Sequence, residues 1–261
     1  MLKRSRHHRA KHSVNGKQVK SYDSYGRSTF IYDSYIPNAD YVAGALRLAA
    51  MIRAGNPGAQ SLLDVGCGSG KYLENLRNEF HCEGLDLADG FLEIARQRCP
   101  GLAIHQGDMT GFDLGRRFDA ISCLFLAIAY VRTPENLDRA VASMARHLNP
   151  GGLLFVEPWV YPENFWVGKL TSEYVDEPGR KISRMFITRV EDRVSVYDIH
   201  YLVGTPEGIE YFIEREELGL FTHEEYLTAF RKAGMEVSYD GQAGLFDAHN
   251  IGMYRGRKPS A

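Results

Sequence analysis

Ser61-Leu62-Leu63-Asp64-Val65-Gly66-Cys67-Gly68-Ser69-Gly70 is the stretch that decides the fold of this 261-residue chain. A short apolar run carries an acid near its end, breaks into glycines at every second position and leads into a segment of helical composition. The pattern predicts a buried strand over 61–65, a tight turn, and a helix starting near Lys71. Glycines in such a turn let the backbone approach a ligand closely and leave amide groups free at the helix start. The turn therefore predicts a nucleotide-like cofactor held by an α/β fold. Its spacing is GxGxG, not the GxGxxG of dinucleotide folds.

Working outward, residues 41–54 place apolar side chains at helical spacing and stop at Gly55-Asn56-Pro57-Gly58. Downstream, the pattern predicts a helix over 71–79, a strand over 81–87, a helix over 90–98 and a short strand over 103–105. An apolar strand over 118–125 follows, then a periodic helix over 134–148 closed by Asn149-Pro150-Gly151-Gly152, and a strand over 153–157. Strands alternating with helices at this interval imply a parallel, doubly wound sheet. From residue 180 the rhythm changes. Residues 180–204 alternate apolar and polar side chains with a turn near Glu191-Asp192, and 209–220 alternate after Pro206-Glu207-Gly208, which predicts an inserted antiparallel sheet. Thr222 with Glu225 predicts a capping box for a helix over 224–232, ending at Gly234, and two strands close the chain over 236–239 and about 249–254.

Residues 1–20 carry seven Lys/Arg, three His and no acid, the composition of a solvated tail. An aromatic segment follows (Tyr22, Tyr25, Phe30, Tyr32, Tyr35, Tyr41) and is expected to pack as a lid or as the first helix. The expected organisation is thus a flexible basic tail over 1–29, an α/β core over 30–158 and 221–257, and an inserted substrate-binding subdomain over 159–220. Charge is near balance, 31 basic against 33 acidic residues, so neither nucleic acid nor membrane is implied as a partner. Cys67, Cys82, Cys99 and Cys123 form no CxxC pair and no metal-ligand spacing, and read as small reduced residues. With no apolar run near the ~20 residues of a membrane span and no signal-peptide core at the N-terminus, the expected location is the cytoplasm.

Three acids fall at successive predicted strand ends. Asp64 precedes the turn. Asp86 lies twenty residues after Gly66, where a carboxylate can accept hydrogen bonds from two ribose hydroxyls. Asp108 follows the third strand, placed to take an exocyclic amine, with Met109 to pack on the adenine ring. All three together point to one ligand crossing the top of the sheet. A dehydrogenase is the rival reading, disfavoured because the glycine spacing lacks a residue and because Asp64 has no role beside a pyrophosphate. An acid there suits the cationic amino group of a methionine moiety.

At these residues the chain resembles the class I S-adenosylmethionine-dependent methyltransferases. The resemblance implies a seven-stranded Rossmann-like sheet with S-adenosylmethionine over its strand ends, held by Asp64, Gly66, Cys67, Gly68, Gly70, Asp86, Leu87, Asp108, Met109 and Leu124. Further segments carry it to one branch. Ala145-Arg146-His147-Leu148-Asn149-Pro150-Gly151-Gly152, Val156-Glu157-Pro158-Trp159-Val160-Tyr161-Pro162-Glu163-Asn164-Phe165, Ile182-Ser183-Arg184 and Leu220-Phe221-Thr222-His223-Glu224-Glu225-Tyr226 are similar to the N,N-dimethyltransferases of nucleotide-linked aminodeoxysugars in macrolide biosynthesis. The distinctive part is Glu-Pro-Trp followed by an aromatic-Pro-acid stretch. The chain departs from that branch in its basic tail and in Asp247-Ala248-His249-Asn250, where the sugar enzymes carry a Gly- and Ser-rich loop with an arginine.

The resemblance implies methyl transfer to the amine of a nucleotide-linked aminosugar and a homodimer; O- or C-methylation of an aromatic or keto-acid intermediate is the alternative. Tyr35, Tyr130 and His249 are the expected catalytic residues, with Tyr130 nearest the transferred methyl group. Phe125, Trp159, Arg184 and His200 are expected to bind the acceptor. Arg180, Lys181 and Arg189 are further basic groups for a pyrophosphate, against the plainer reading of a charged sheet face.

Overall fold

In the computed structural model the residues described are 13–14, 17–18, 21–23, 25–35, 40–245 and 252–260. Two short strands, β1 (Ser13–Val14) and β2 (Lys17–Gln18), pair with each other. β3 (Ser21–Asp23) leads into a 3₁₀ turn and the short α1 (Tyr32–Tyr35), and α2 (Tyr41–Gly55) starts the core. Asp40 caps α2 by accepting from the Ala43 N–H at 2.8 Å.

The main sheet has seven strands. β4 (Ser61–Val65), β5 (His81–Asp86), β6 (Ala103–Gln106), β7 (Phe118–Cys123) and β8 (Leu148–Val156) run parallel, and β13 (Glu236–Asp240) and β14 (Met253–Arg257) close the edge antiparallel. The order is β13-β14-β8-β7-β4-β5-β6. After β6 the chain crosses back to place β7 on the other side of β4, so the switch point lies between the carboxyl ends of β4 and β7, where open α/β sheets bind ligands. α3 (Lys71–Leu76), α4 (Asp89–Arg98), α5 (Pro134–Arg146) and α6 (His223–Lys232) flank the sheet. Two apolar clusters fill its faces: α5 and α6 cover one through Leu137, Val141, Tyr226 and Phe230, and α2 and α3 cover the other through Leu48, Ile52 and Leu73. α6 carries the predicted capping box, Thr222 Oγ1 accepting from the Glu225 N–H and the Glu225 carboxylate from the Thr222 N–H.

The inserted sheet is a meander of β9 (Leu170–Glu177), β10 (Arg180–Glu191), β11 (Val194–Thr205) and β12 (Gly208–Gly219). Its inner face packs Ile182, Tyr197, Ile199, Tyr201 and Phe212 against Ile31 and Tyr35 of the N-terminal segment. The sheet gains a fifth strand because β3 pairs in parallel with Ile213–Arg215. Described structure therefore lies inside the expected tail 1–29: main-chain pairing ties residues 21–23 to β12, and the N–H of buried Ser28 is accepted by Glu214.

Two boundaries shift. β8 begins at Leu148, because Leu148 pairs with Phe118 across a bulge and Gly151 takes φ +77, so the expected turn at 149–152 is strand. The last strand runs Met253–Arg257 instead of 249–254, set by its pairing of Tyr254 with Val156.

Candidate active site

The glycine turn is held from below and from the side. Gly66 has φ +73, and a Cβ there would lie 2.6 Å from the Ala127 Cβ, so only glycine fits. Gly68 has φ +52 and nothing within 4 Å of where its Cβ would be; the bare backbone faces open space, a cradle for a ligand. The Gly68 N–H donates to Asp86 Oδ2 at 2.8 Å while Asp86 Oδ1 accepts from the Ala88 N–H at 2.9 Å. Asp86 thus ties the turn to the end of β5, and each oxygen keeps a lone pair for a ligand hydroxyl. Burial raises its carboxyl, and the Ala88 and Gly68 donors oppose that rise.

Asp64 is 2% exposed at the switch point and lines the cleft. Its hydrogen-bond donor among the described residues is Ser122 Oγ, at 2.7 Å. Burial pushes its carboxyl up to about 7, against the lowering effect of Ser122. A buried acid with one neutral donor is suited to a cation from outside. Cys67 and Leu124 are buried beside it, and the exposed Leu87 lies at the rim. Asp108 closes its own turn by accepting from the Thr110 N–H at 2.8 Å, and Met109 stands 3.7 Å from the Gly66 Cβ position. All of these line one cleft of about 410 Å³, a size suited to a small molecule.

The other end of the cleft lies past β7. Phe125 and Leu126 take φ +52 and +66, consecutive left-handed non-glycine residues. Such conformations cost about 1–3 kcal/mol each and persist only where the surroundings enforce them. Glu157, buried at the end of β8, does so: Oε2 accepts from the Phe125 N–H at 2.7 Å and Oε1 from the Leu245 N–H at 2.8 Å. The turn presents Tyr130 to the cleft, its hydroxyl hydrogen-bonded to that of Tyr25. Burial raises both phenols well above their ordinary value, so both are neutral hydroxyls.

The remaining expected residues divide. Tyr35 is buried away from the cleft lining, under the Arg184 guanidinium, which lies 4.1 Å from its ring centre. Arg184 is not a free cation for a pyrophosphate: its Nε donates to Glu173 Oε2 at 2.5 Å on neighbouring β9. Arg180 pairs with Glu177, Lys181 with Asp176 and Arg189 with Asp198, so the charged-face reading describes this sheet. Trp159 is part of the sheet–core junction, its Nε1 donating to Ser195 Oγ at 3.2 Å, and it is absent from the cleft lining. His200 points to the outer face of the sheet, its Nδ1 2.5 Å from Tyr211 Oη, because strand alternation turns Tyr201 inward. His249 lies outside the described residues.

The lid expected over the aromatic segment meets the cleft through other rings than Tyr35. Tyr25, Tyr32 and Phe91 form an aromatic wall with Tyr130, ring centres 4.7–5.7 Å apart. Arg132, at φ +64, and Asn136 also line the cleft, Arg132 donating to Glu217 at 2.8 Å. The aromatic run at 22–41 was the available signal; which rings face the cleft is set by tertiary packing.

Comparison with known proteins adds identity to this geometry. A methyltransferase-domain family matches residues 62–152. The chain is 43% identical over 201 residues to the dTDP-4-amino-2,3,4,6-tetradeoxy-D-glucose N,N-dimethyltransferase of Saccharopolyspora spinosa, covering 77% of this chain and 81% of that one. It is 41% identical over 202 residues to the dTDP-3-amino-3,4,6-trideoxy-alpha-D-glucopyranose N,N-dimethyltransferase of Streptomyces venezuelae, covering 77% and 85%. Among solved structures it is similar to a SAM-bound amino pentose methyltransferase of calicheamicin biosynthesis from Micromonospora echinaspora, with 39% identity, TM-score 0.79, and coverage of 87% and 96%.

Proposed function

The chain belongs to the S-adenosylmethionine-dependent methyltransferases, within the family of the nucleotide-linked aminosugar N,N-dimethyltransferases, and from that premise we propose that its acceptor is the amine of a nucleotide-linked aminodeoxysugar in a natural-product pathway. The observation that carries the reading is the join of one cleft: a buried Asp64 and bare Gly68 at one end, and Tyr130 with Tyr25 on a strained turn at the other.

S-adenosylmethionine supplies a methyl carbon activated by a sulfonium, which departs as a neutral thioether and needs no acid. The protein's part is to place the two reactants in line, a contribution able to reach about 7–11 kcal/mol. In this reading Asp64 holds the cationic amino group, Asp86 the ribose hydroxyls, and Asp108 with Met109 the adenine. The aromatic wall excludes water and favours a cation over its ring faces. Tyr130, neutral because of burial, orients the acceptor nitrogen through its hydroxyl. The inserted sheet, as the substrate-binding subdomain, closes the acceptor side.

The outer face of that sheet exposes Leu170, Tyr174, Met185, Ile187 and Leu202, an apolar set too large for a solvated strand face. This supports a homodimer through the face, which Met185→Glu would weaken in sedimentation experiments. No helix among the described residues is long and apolar enough to cross a membrane. Four buried, unpaired cysteines suit a reducing compartment, and the reading places the protein in the cytoplasm.

Incubation with S-adenosylmethionine and a set of dTDP-aminosugars tests the reading, each product being followed by mass for added methyl groups. Turnover of an aryl or keto-acid substrate alone would favour the O- or C-methyltransferase alternative.

A further inference from the structure

Tyr25 enters the cleft from a backbone that tyrosine rarely adopts. Its φ is +57, in the left-handed region that favours glycine. At a non-glycine residue such a conformation persists only where the surroundings enforce it. The inserted sheet enforces it from both sides. Ahead of Tyr25, Ser21–Asp23 pair in parallel with Ile213–Arg215 of β12. Behind it, Oε1 of the fully buried Glu214 accepts from the N–H groups of Arg27 and Ser28. Arg27 also pairs with Glu210 and lies over the Phe212 ring, both on the same strand. The ring of Tyr25 is thereby set against Phe91, Tyr130 and Tyr32, with centres 4.7, 5.4 and 5.7 Å away. Its hydroxyl meets that of Tyr130, and both residues line the cleft.

Two hydroxyls joined in one bond take unequal roles, since one gives its proton and the other keeps its own. If Tyr130 gives its proton to Tyr25, it offers the cleft oxygen lone pairs alone. If it receives, its own proton remains for the cleft. A neutral amine carries one lone pair, needed for the new bond to carbon, and N–H groups that can be donated. A hydroxyl proton turned to that lone pair blocks it. An oxygen lone pair turned to an N–H leaves it free.

Resting on the aminosugar reading, in which Tyr130 meets the acceptor nitrogen, we propose that Tyr25 is a positioning residue that takes the Tyr130 proton. Tyr130 then accepts an N–H of the amine and leaves the nitrogen lone pair free for the methyl carbon. Tyr25 acts through Tyr130, and its enforced backbone is what keeps its hydroxyl there. Neither phenol ionises in this arrangement, because burial raises both well above their ordinary value. The same contact serves the primary amine and, after one methylation, the secondary amine, each of which still carries an N–H.

The test is a kinetic cycle of wild type, Tyr25→Phe, Tyr130→Phe and the double variant, with saturating S-adenosylmethionine and a dTDP-aminosugar that the wild type turns over. Tyr25→Phe keeps the ring and its packing and removes only the hydroxyl. Its kcat should fall by about tenfold or more, the cost of a misoriented nucleophile, with S-adenosylmethionine affinity within about twofold of wild type. Its acceptor KM should not rise, because the released Tyr130 proton still holds the amine, now by its lone pair. The double variant should be no slower than the slower single one, since without the Tyr130 hydroxyl Tyr25 has nothing to orient. If Tyr25→Phe does not fold, Tyr25→Gly, which suits that backbone, takes its place in the cycle. An unchanged kcat, a loss confined to the acceptor KM, or two losses that multiply in the double variant would overturn the proposal. The aminosugar reading would then stand, because the wild type still methylates the amine. A wild type that turns over no aminosugar removes the reading and this proposal together.

Discussion

Asp33 Oδ1 accepts a hydrogen bond from Ser69 Oγ, inside the glycine turn, at 2.8 Å. Its other oxygen takes Arg98 Nη2 at 2.5 Å, and Lys71 Nζ lies 3.6 Å from Oδ1. One carboxylate therefore fastens the aromatic lid to the glycine turn of the cleft. Lid and turn form one mechanical unit, even though they lie thirty residues or more apart in the chain.

Asp33→Ala should release the lid. Because these charges are partly screened by solvent, the loss in folding stability should be small, about 1 kcal/mol. The affinity for S-adenosylmethionine should fall further, roughly tenfold, since an open lid no longer covers the cleft. Calorimetric titration alongside thermal melting checks this; a fall in melting temperature with unchanged affinity would mean that the latch is only structural.

Asp86→Ala removes the acceptor for the Gly68 and Ala88 amides as well as for a ligand hydroxyl. Cofactor binding should weaken by about 1–3 kcal/mol, the range for charge-assisted hydrogen bonds. Asp86→Asn keeps one acceptor oxygen and should fall between the two. Isothermal titration of the three proteins gives the order directly.

Asp64 predicts a pH effect of definite sign. Its carboxyl in the folded protein sits at about 7, above the roughly 3.9 of an unfolded chain. Its contribution to stability is therefore complete below about pH 4 and is lost as pH rises toward 7. Binding a cationic amino group requires the ionised form. Binding of S-adenosylmethionine at pH 6 should release a proton and tighten as pH rises to 8. Titration in buffers of different ionisation enthalpy measures that proton, and Asp64→Asn should abolish its release.

Tyr130→Phe keeps the ring and loses the hydroxyl paired with Tyr25. We expect kcat to fall about tenfold, or about 1.4 kcal/mol, with cofactor affinity within twofold of wild type. Steady-state kinetics with a saturating cofactor tests the split; an unchanged kcat would assign the pair to lid closure.

The glycine turn and the strand ends beside it were legible because their signals are local. The sequence from Ser61 to Gly70 encodes strand, turn and helix start within ten residues, Asp86 ends the next strand and Asp108 follows the one after. The capping box at Thr222 and Glu225 was legible for the same reason. The acceptor half depends on register and on which face of a sheet is covered. β11 carries apolar side chains on both faces, Tyr201 within and Leu202 without, so alternation alone could not show that His200 points outward. Arg184 is neutralised by Glu173, eleven residues earlier, through a β9–β10 register that spacing does not reveal. The pairing of residues 21–23 with β12 is likewise long-range, hidden behind a basic composition.

Mixing the full chain with S-adenosylmethionine and a dTDP-linked aminodeoxysugar, and reading the product by mass and by nitrogen-coupled NMR, shows which atom is methylated. One or two methyl groups should be added, all on the amine nitrogen, and none on the hydroxyl counterpart of the same sugar. Methylation of an oxygen or carbon, with the amine untouched, would rule out the amine as the acceptor.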